Sequence, residues 1–144
     1  MEILGTFRRR CVKESFEKGT LEKYKYQVSD LVEFIDSPTE AEKFALYRQC
    51  DTVLYTPPNE HFGIVPIEAL EQRRPVIVCN SGGPAETVLE GITGSKIEFP
   101  DGRLLAEAME QHMLRPIWPA LDNDEDYELQ VSISAVWLLS YLRC

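Results

Sequence analysis

VLYTPPNEHFGIVPIEALEQRRPVIVCNSGGPAE, residues 53–86, contains two short apolar runs, and each leads into a Gly- and Pro-bearing loop that opens a helix. The runs are Val53-Leu54-Tyr55 and Pro75-Val76-Ile77-Val78-Cys79. They are built of β-branched, aromatic and other apolar residues, and each reads as a buried strand. The first loop carries Glu60, His61, Phe62 and Gly63; the second carries Ser81, Gly82, Gly83 and Pro84. Strands alternating with helices predict an α/β domain: a parallel sheet flanked by helices and joined by right-handed crossovers. Both loops then lie beyond the carboxyl ends of strands, on the edge where open α/β folds bind ligands. The two loops are therefore expected to face one site.

Working outward, Lys96 to Phe99 reads as a further strand, as does Leu31 to Ile35. A helix is predicted between them and each neighbouring strand. Ser37-Pro38-Thr39-Glu40 has the form of a helix start, with Ser37 as cap, Pro38 at the first position and Glu40 closing a capping box. Ala41, Phe44 and Ala45 follow at helical spacing and are expected to face the sheet. The next helix is expected over about Val65 to Gln72, and a short one from Pro84 to about Glu90 with Gly91 as its stop. Asp101 can cap a helix from Gly102 to Arg115, with Leu104, Leu105 and Ala108 inward and His112 on the surface. Residues 8–27 are densely charged and suit a surface helix broken near Gly19-Thr20. The Arg8 to Arg10 run admits a phosphate site, although a solvated helix face accounts for it more simply. From Pro116 the character changes: an acidic run, Asp122 to Asp126, reads as a solvated linker and precedes the apolar Leu129 to Leu142. That division gives an incomplete ligand-binding domain, 1–115, and a divergent acidic and apolar tail, 116–144.

The chain has 144 residues, 44% hydrophobic and 27% charged, enough for one domain with a real core. Its net charge of −9 argues against broad contact with a nucleic-acid backbone. A small anion is still acceptable, because backbone N–H groups at helix starts hold phosphate without net positive charge. Cys11, Cys50, Cys79 and Cys144 form no C-x-x-C pair, and neither histidine stands at metal-ligand spacing, so no metal site is expected. A reducing compartment fits this cysteine usage, and Cys79 is expected in the core. MEILGTFRRR lacks the apolar run of a secretory signal, and no apolar stretch reaches the roughly 18 residues that cross a bilayer.

Chemistry concentrates in the two loops. The N–H groups of Phe62, Gly63 and Ile64 lie at a helix start, where the helix itself supplies no acceptor. They suit a diphosphate or sugar hydroxyls, assisted by the helix dipole. Carboxylates such as Glu60 and Glu68 repel phosphate but accept hydrogen bonds from vicinal hydroxyls, as the acidic residue of dinucleotide-binding folds does. A ligand with both a diphosphate and many hydroxyls meets both demands, and a nucleotide sugar is one. On spacing alone a plain loop carboxylate at Glu60 and a helix-start charge at Glu68 account for the pair more simply. Gly82 and Gly83 permit close backbone approach, or form an ordinary turn. His61 either donates to a ligand oxygen or points to solvent.

Glu60, seven residues, then Glu68, followed by Ser81-Gly82-Gly83-Pro84-Ala85-Glu86, resembles the donor-binding, C-terminal half of retaining glycosyltransferases of the GT-B fold. The wording of Tyr55 to Ala69, YTPPNEHFGIVPIEA, narrows the resemblance to the mannosyltransferases that add α-1,3- and α-1,6-linked mannose to a dolichol-linked oligosaccharide. The resemblance covers about residues 8–115. It implies an incomplete Rossmann-like domain, GDP-mannose as substrate with no cofactor or metal, a lipid-linked acceptor, and work in protein N-glycosylation at the cytosolic face of the endoplasmic reticulum. By position it implies that Glu60 is catalytic, contacting the transferred sugar or supporting the reacting centre. Phe62, Gly63 and Ile64 would present N–H groups to sugar and phosphate, with His61 beside them. Glu68 would hold ribose hydroxyls, and Gly82 and Gly83 would line the cleft. The family's acceptor-holding domain, with any membrane contact it brings, has no counterpart here. The same is true of the strand and loop that supply an Arg and a Lys to the diphosphate. The chain is accordingly expected to be part of an enzyme and to transfer no mannose alone. The alternative is a non-catalytic remnant or regulatory module that binds a nucleotide sugar or a partner.

Overall fold

A computed structural model describes residues 35, 37–115, 117–124 and 127 in full, and the backbone of 4–8, 11–14 and 32–33. The expected charged surface helix, where it covers 15–27, and the apolar stretch Leu129 to Leu142 lie outside the described residues.

Among the described residues the strands are β1 (Leu4–Arg8), β2 (Cys11–Glu14), β3 (Val32–Glu33), β4 (Thr52–Tyr55), β5 (Val76–Cys79) and β6 (Gly94–Ile97). They form one sheet in the order β3-β2-β1-β4-β5-β6. The helices are α1 (Glu40–Gln49), α2 (Ile64–Glu71), α3 (Gly82–Thr87), α4 (Gly102–Leu114) and α5 (Pro119–Asp122). The parallel expectation holds for β4, β5 and β6, in register Val53↔Val76, Tyr55↔Val78 and Cys79↔Ile97. Among the described strands β1 alone departs from it; β2 and β3 pair parallel, with Val12 opposite Val32, and run in the same direction as β4. β1 runs antiparallel to β2, with Arg8 opposite Cys11, and antiparallel to β4, with Phe7 opposite Thr52. Residues 8 and 11–14, expected at the start of a surface helix, are strand instead. The ladder bonds between β1 and β2 override the weak helical pattern of a charged run.

The strands' period of two sorts the core into two layers. Val53, Tyr55, Val76 and Val78 face one way, onto Tyr47 of α1, Val65, Ala69 and Leu70 of α2, and Trp118 and Leu121 around α5. Ile77, Cys79 and Ile97 face the other way, onto Ala108 of α4, with Leu54, Leu104, Leu105 and Met109 against them. Every residue of β5 is buried, which is why its sequence is a continuous apolar run and does not alternate. Each Val or Ile taken fully from water here contributes about 1.5–3 kcal/mol. The packed core does not stop at Arg115: Trp118 and Leu121 are 6% and 1% exposed.

Several element ends shift from expectation. Thr39, not Ser37, caps α1. Its hydroxyl accepts from the Glu42 N–H at 3.3 Å, while its own N–H donates to the Glu42 carboxylate at 2.8 Å. The capping box therefore lies two residues later than its sequence signature, and Ser37 takes a positive φ of 46° ahead of it. On α1 the fully buried residue is Tyr47; Ala41 is exposed. α3 begins at Gly82 and ends at Thr87, before Gly91, because Val88 turns extended and inserts its side chain in the core. β6 starts two residues early, and Phe99, expected as strand, is 56% exposed. Asp101 caps α4 as expected, accepting from the N–H groups of Arg103 and Leu104 at 3.0 and 3.1 Å.

His112 is buried, not on the surface. Leu104, Ala108 and His112 are spaced four apart on α4, so His112 extends the inward stripe. Its Nδ1 lies 3.0 Å from the Thr52 hydroxyl and its Nε2 2.9 Å from that of Ser95. Burial pushes its pKa down to about 4, and the Arg115 charge adds to the effect.

Candidate functional site

The β4–α2 loop, 56–63, and the β5–α3 turn, 80–81, both leave carboxyl ends of adjacent parallel strands. They interlock. The Asn59 N–H donates to the Ser81 hydroxyl at 3.1 Å, and the Gly83 N–H donates to the Glu60 carbonyl at 3.0 Å. Below them the Cys79 thiol donates to the Thr56 carbonyl at 3.2 Å. The structure thus brings Glu60, His61, Phe62 and Gly63 against Gly82 and Gly83, as the sequence predicts.

The glycines have a packing reason within the protein itself. A Cβ on Gly83 would stand 2.6 Å from the His61 carbonyl oxygen and closer still to that of Phe62. Gly83 is buried, and the close approach it permits in the structure is to the first loop. Gly82 is exposed, and a Cβ there would run into the Glu60 carbonyl. Gly63 caps α2 at φ +69°, a left-handed conformation that favours glycine. A Cβ on it would also meet the Pro84 ring at 2.7 Å.

Each remaining candidate has a definite place. The Phe62 N–H, expected to face a ligand, lies 3.4 Å from the Glu60 carboxylate, which curls back over its own loop. His61 is exposed, and Ile64, the first residue of α2, is 53% exposed beside it. Glu68 sits one turn into α2 and turns toward α1. Lys43 Nζ donates to its Oε1 at 2.7 Å, and the Tyr47 hydroxyl donates to its Oε2 at 3.1 Å. Sequence reasoning missed both partners. Their spacing of four on α1 places them on one helix face, but nothing in the sequence says that this face meets Glu68. It also missed Lys96, whose Nζ donates to the Ala85 carbonyl of α3 at 2.5 Å and ties that helix to β6. Among the described residues no three His, Cys, Asp or Glu side chains gather as a metal site.

The family model described as glycosyl transferases group 1 matches residues 3–125. The chain belongs to this family. Among its relatives, an alpha-1,3/1,6-mannosyltransferase of Mus musculus is 46% identical over 93 residues, which is 62% of this chain and 22% of the mouse protein. An alpha-1,3/1,6-mannosyltransferase of Saccharomyces cerevisiae is 40% identical over 84 residues, 58% of this chain and 16% of the yeast protein. The matched stretch therefore spans a fifth or less of the yeast relative's length and little more of the mouse one.

Solved structures agree on the fold. Sucrose-phosphate synthase of Thermosynechococcus elongatus superposes with a TM-score of 0.63 at 22% identity, over 91% of this chain and 37% of that one. The Anabaena Alr3699/HepE protein in complex with UDP-glucose gives 0.56 at 22% identity, over 83% and 32%. The three parallel strands with their flanking helices have the fold of GT-B glycosyltransferases, and the chain spans about a third of each of these two structures.

Proposed function

We propose that this chain carries most of the donor site of a GDP-mannose-dependent, retaining mannosyltransferase that extends a dolichol-linked oligosaccharide. The observation that supports this most is the interlock of the Glu60 loop with Gly82-Gly83 at the carboxyl edge of the parallel strands. The 46% identity to an alpha-1,3/1,6-mannosyltransferase points to mannose as the sugar. In this reading the start of α2 faces the diphosphate, whose developing negative charge the helix N–H groups and dipole stabilise as the glycosidic bond breaks. Glu60 contacts the transferred mannose, with His61 beside it. Glu68 takes ribose hydroxyls. The acceptor and any membrane contact belong to parts of the enzyme beyond the matched stretch, and the work is at the cytosolic face of the endoplasmic reticulum. Among the described residues no helix is long and apolar enough to cross a membrane.

Residues 37–115 grafted in place of the matching segment of the mouse relative test this. The graft is expected to transfer mannose from GDP-mannose, and Glu60→Gln in the graft to lower turnover at least 100-fold, the scale of losing a group that acts only in the transition state. A folded graft that binds UDP-glucose in preference to GDP-mannose, or a Glu60→Gln graft with near-normal turnover, would overturn the reading.

A further inference from the structure

Glu68 is not an isolated helix-start charge. It is the acceptor of two donors from one face of α1, Lys43 on Oε1 and Tyr47 on Oε2. The Tyr47 side chain is fully buried, so its hydroxyl cannot swing away, and it packs edge-on against Phe44 with ring centroids 5.8 Å apart. The Lys43 and Glu68 side chains are 22% and 12% exposed, so the pair is sheltered but not sealed. α1 runs into β4 at its carboxyl end, and α2 leaves β4 at the strand's carboxyl end. The early turns of both helices, where Lys43 and Glu68 lie, are therefore on the same edge of the sheet as the interlocked loops.

From this arrangement we propose that Lys43 and Tyr47 are positioning residues that hold Glu68 as a two-pronged acceptor for the 2′,3′-diol of a nucleoside diphosphate. The inference rests on the donor-site reading above and adds to it. A carboxylate offers about four lone-pair sites. Lys43 occupies one on Oε1 and Tyr47 one on Oε2, which leaves one on each oxygen for a pair of neighbouring hydroxyls. Two donors on two oxygens also fix the plane of the carboxylate, and a planar acceptor of set orientation selects a vicinal diol over a single hydroxyl. Lys43 solves a second problem. A bare carboxylate beside a diphosphate is repelled by it, whereas a carboxylate paired to an ammonium at 2.7 Å presents little net charge and keeps its hydrogen-bonding capacity. The competing account is that the contact only ties α1 to α2.

Affinity of the 144-residue chain for GDP and for 2′,3′-dideoxy-GDP, with a melting curve for each variant, separates the two accounts. The natural chain is expected to prefer GDP roughly tenfold or more, the scale of hydrogen bonds to a charged group. Glu68→Gln should shrink that preference, Lys43→Met and Tyr47→Phe should each shrink it to about twofold, and Lys43→Arg should restore part of it. Tyr47→Phe keeps the ring in the core and carries the test if Lys43→Met does not fold. Variants that melt lower but keep the full preference for GDP would overturn the positioning role and leave the ribose assignment standing. A natural chain that binds both nucleotides equally, or binds neither, would overturn the ribose assignment and the positioning role with it.

Discussion

Gly83 carries a structural demand that its neighbours cannot absorb. Any side chain there meets two carbonyl oxygens of the facing loop, those of His61 and Phe62, and backbone cannot swing aside as a flexible side chain would. Gly83→Ala is expected to cost about 1–3 kcal/mol, the range for forced overpacking. Because the loops part, it should also weaken nucleotide binding, read by thermal denaturation and a GDP titration on the same sample. His112 makes a second residue-scale prediction. Its folded pKa of about 4 lies below the ordinary 6.5, so the unfolded chain binds the extra proton first as pH falls. The stability it protects is whole above about pH 6.5 and is lost as pH falls toward 4. Between about pH 7 and pH 5 the loss should be on the order of 2 kcal/mol. Urea denaturation at the two pH values checks this, and His112→Gln should flatten the difference.

At the scale of elements, what could be foreseen followed from apolar continuity. β4 and β5 are short buried runs bounded by Gly, Pro and Asn, and α4 has both a capping Asp101 and an inward stripe, so their places were legible in the sequence. Extending the α4 stripe one step further gives His112, which ordinary expectations for histidine place outside. β1 and β2 were not legible. Leu4, Phe7, Cys11 and Val12 are too few and too interspersed with charge to form a recognisable run, and their pairing with each other and with β4 is a tertiary event. In the site, the convergence of the two loops followed from topology, but the contact between Glu68 and α1 depends on how two helices pack, which spacing cannot reveal. The cap of α1 shows how near-equivalent signals compete. Ser37 with Glu40 and Thr39 with Glu42 both have the form of a capping box, and the backbone chooses the second. Thr39→Ala should therefore cost about 0.5–2 kcal/mol. Loss of α1 stability should appear as faster amide exchange in its first turn, and an unchanged exchange rate would mean that the cap lies elsewhere.

For the whole molecule, the question is where the folded unit ends. The sequence changes character at Pro116, yet the chain then turns back and inserts two large side chains into the layer formed by α1, α2 and one face of the sheet. Trp118 lies 4.6 Å from the His112 ring, and the Arg115 guanidinium stacks over Trp118 at 4.3 Å. Arg73, from the turn after α2, pairs with Asp124 and stacks over Tyr127 at 4.5 Å. These contacts join the segment after α4 to the end of α4 and to the turn after α2. Leu121 is almost fully buried in the same cluster as Tyr47, Val53 and Val76, so Leu121→Ala removes side-chain carbon from a close-packed centre. The expected cost is about 2–5 kcal/mol, the range for Leu→Ala in a core, and it should appear as a lower denaturation midpoint with little change in slope. Leu114, 78% exposed at the end of α4, is the internal control: Leu114→Ala should stay within about 0.5 kcal/mol. Ending the chain after Arg115 should cost more than Leu121→Ala alone, because Trp118 leaves with Leu121 and the faces they cover are opened to water. A chain ending at Arg115 with undiminished stability would show instead that the domain closes without Trp118 and Leu121.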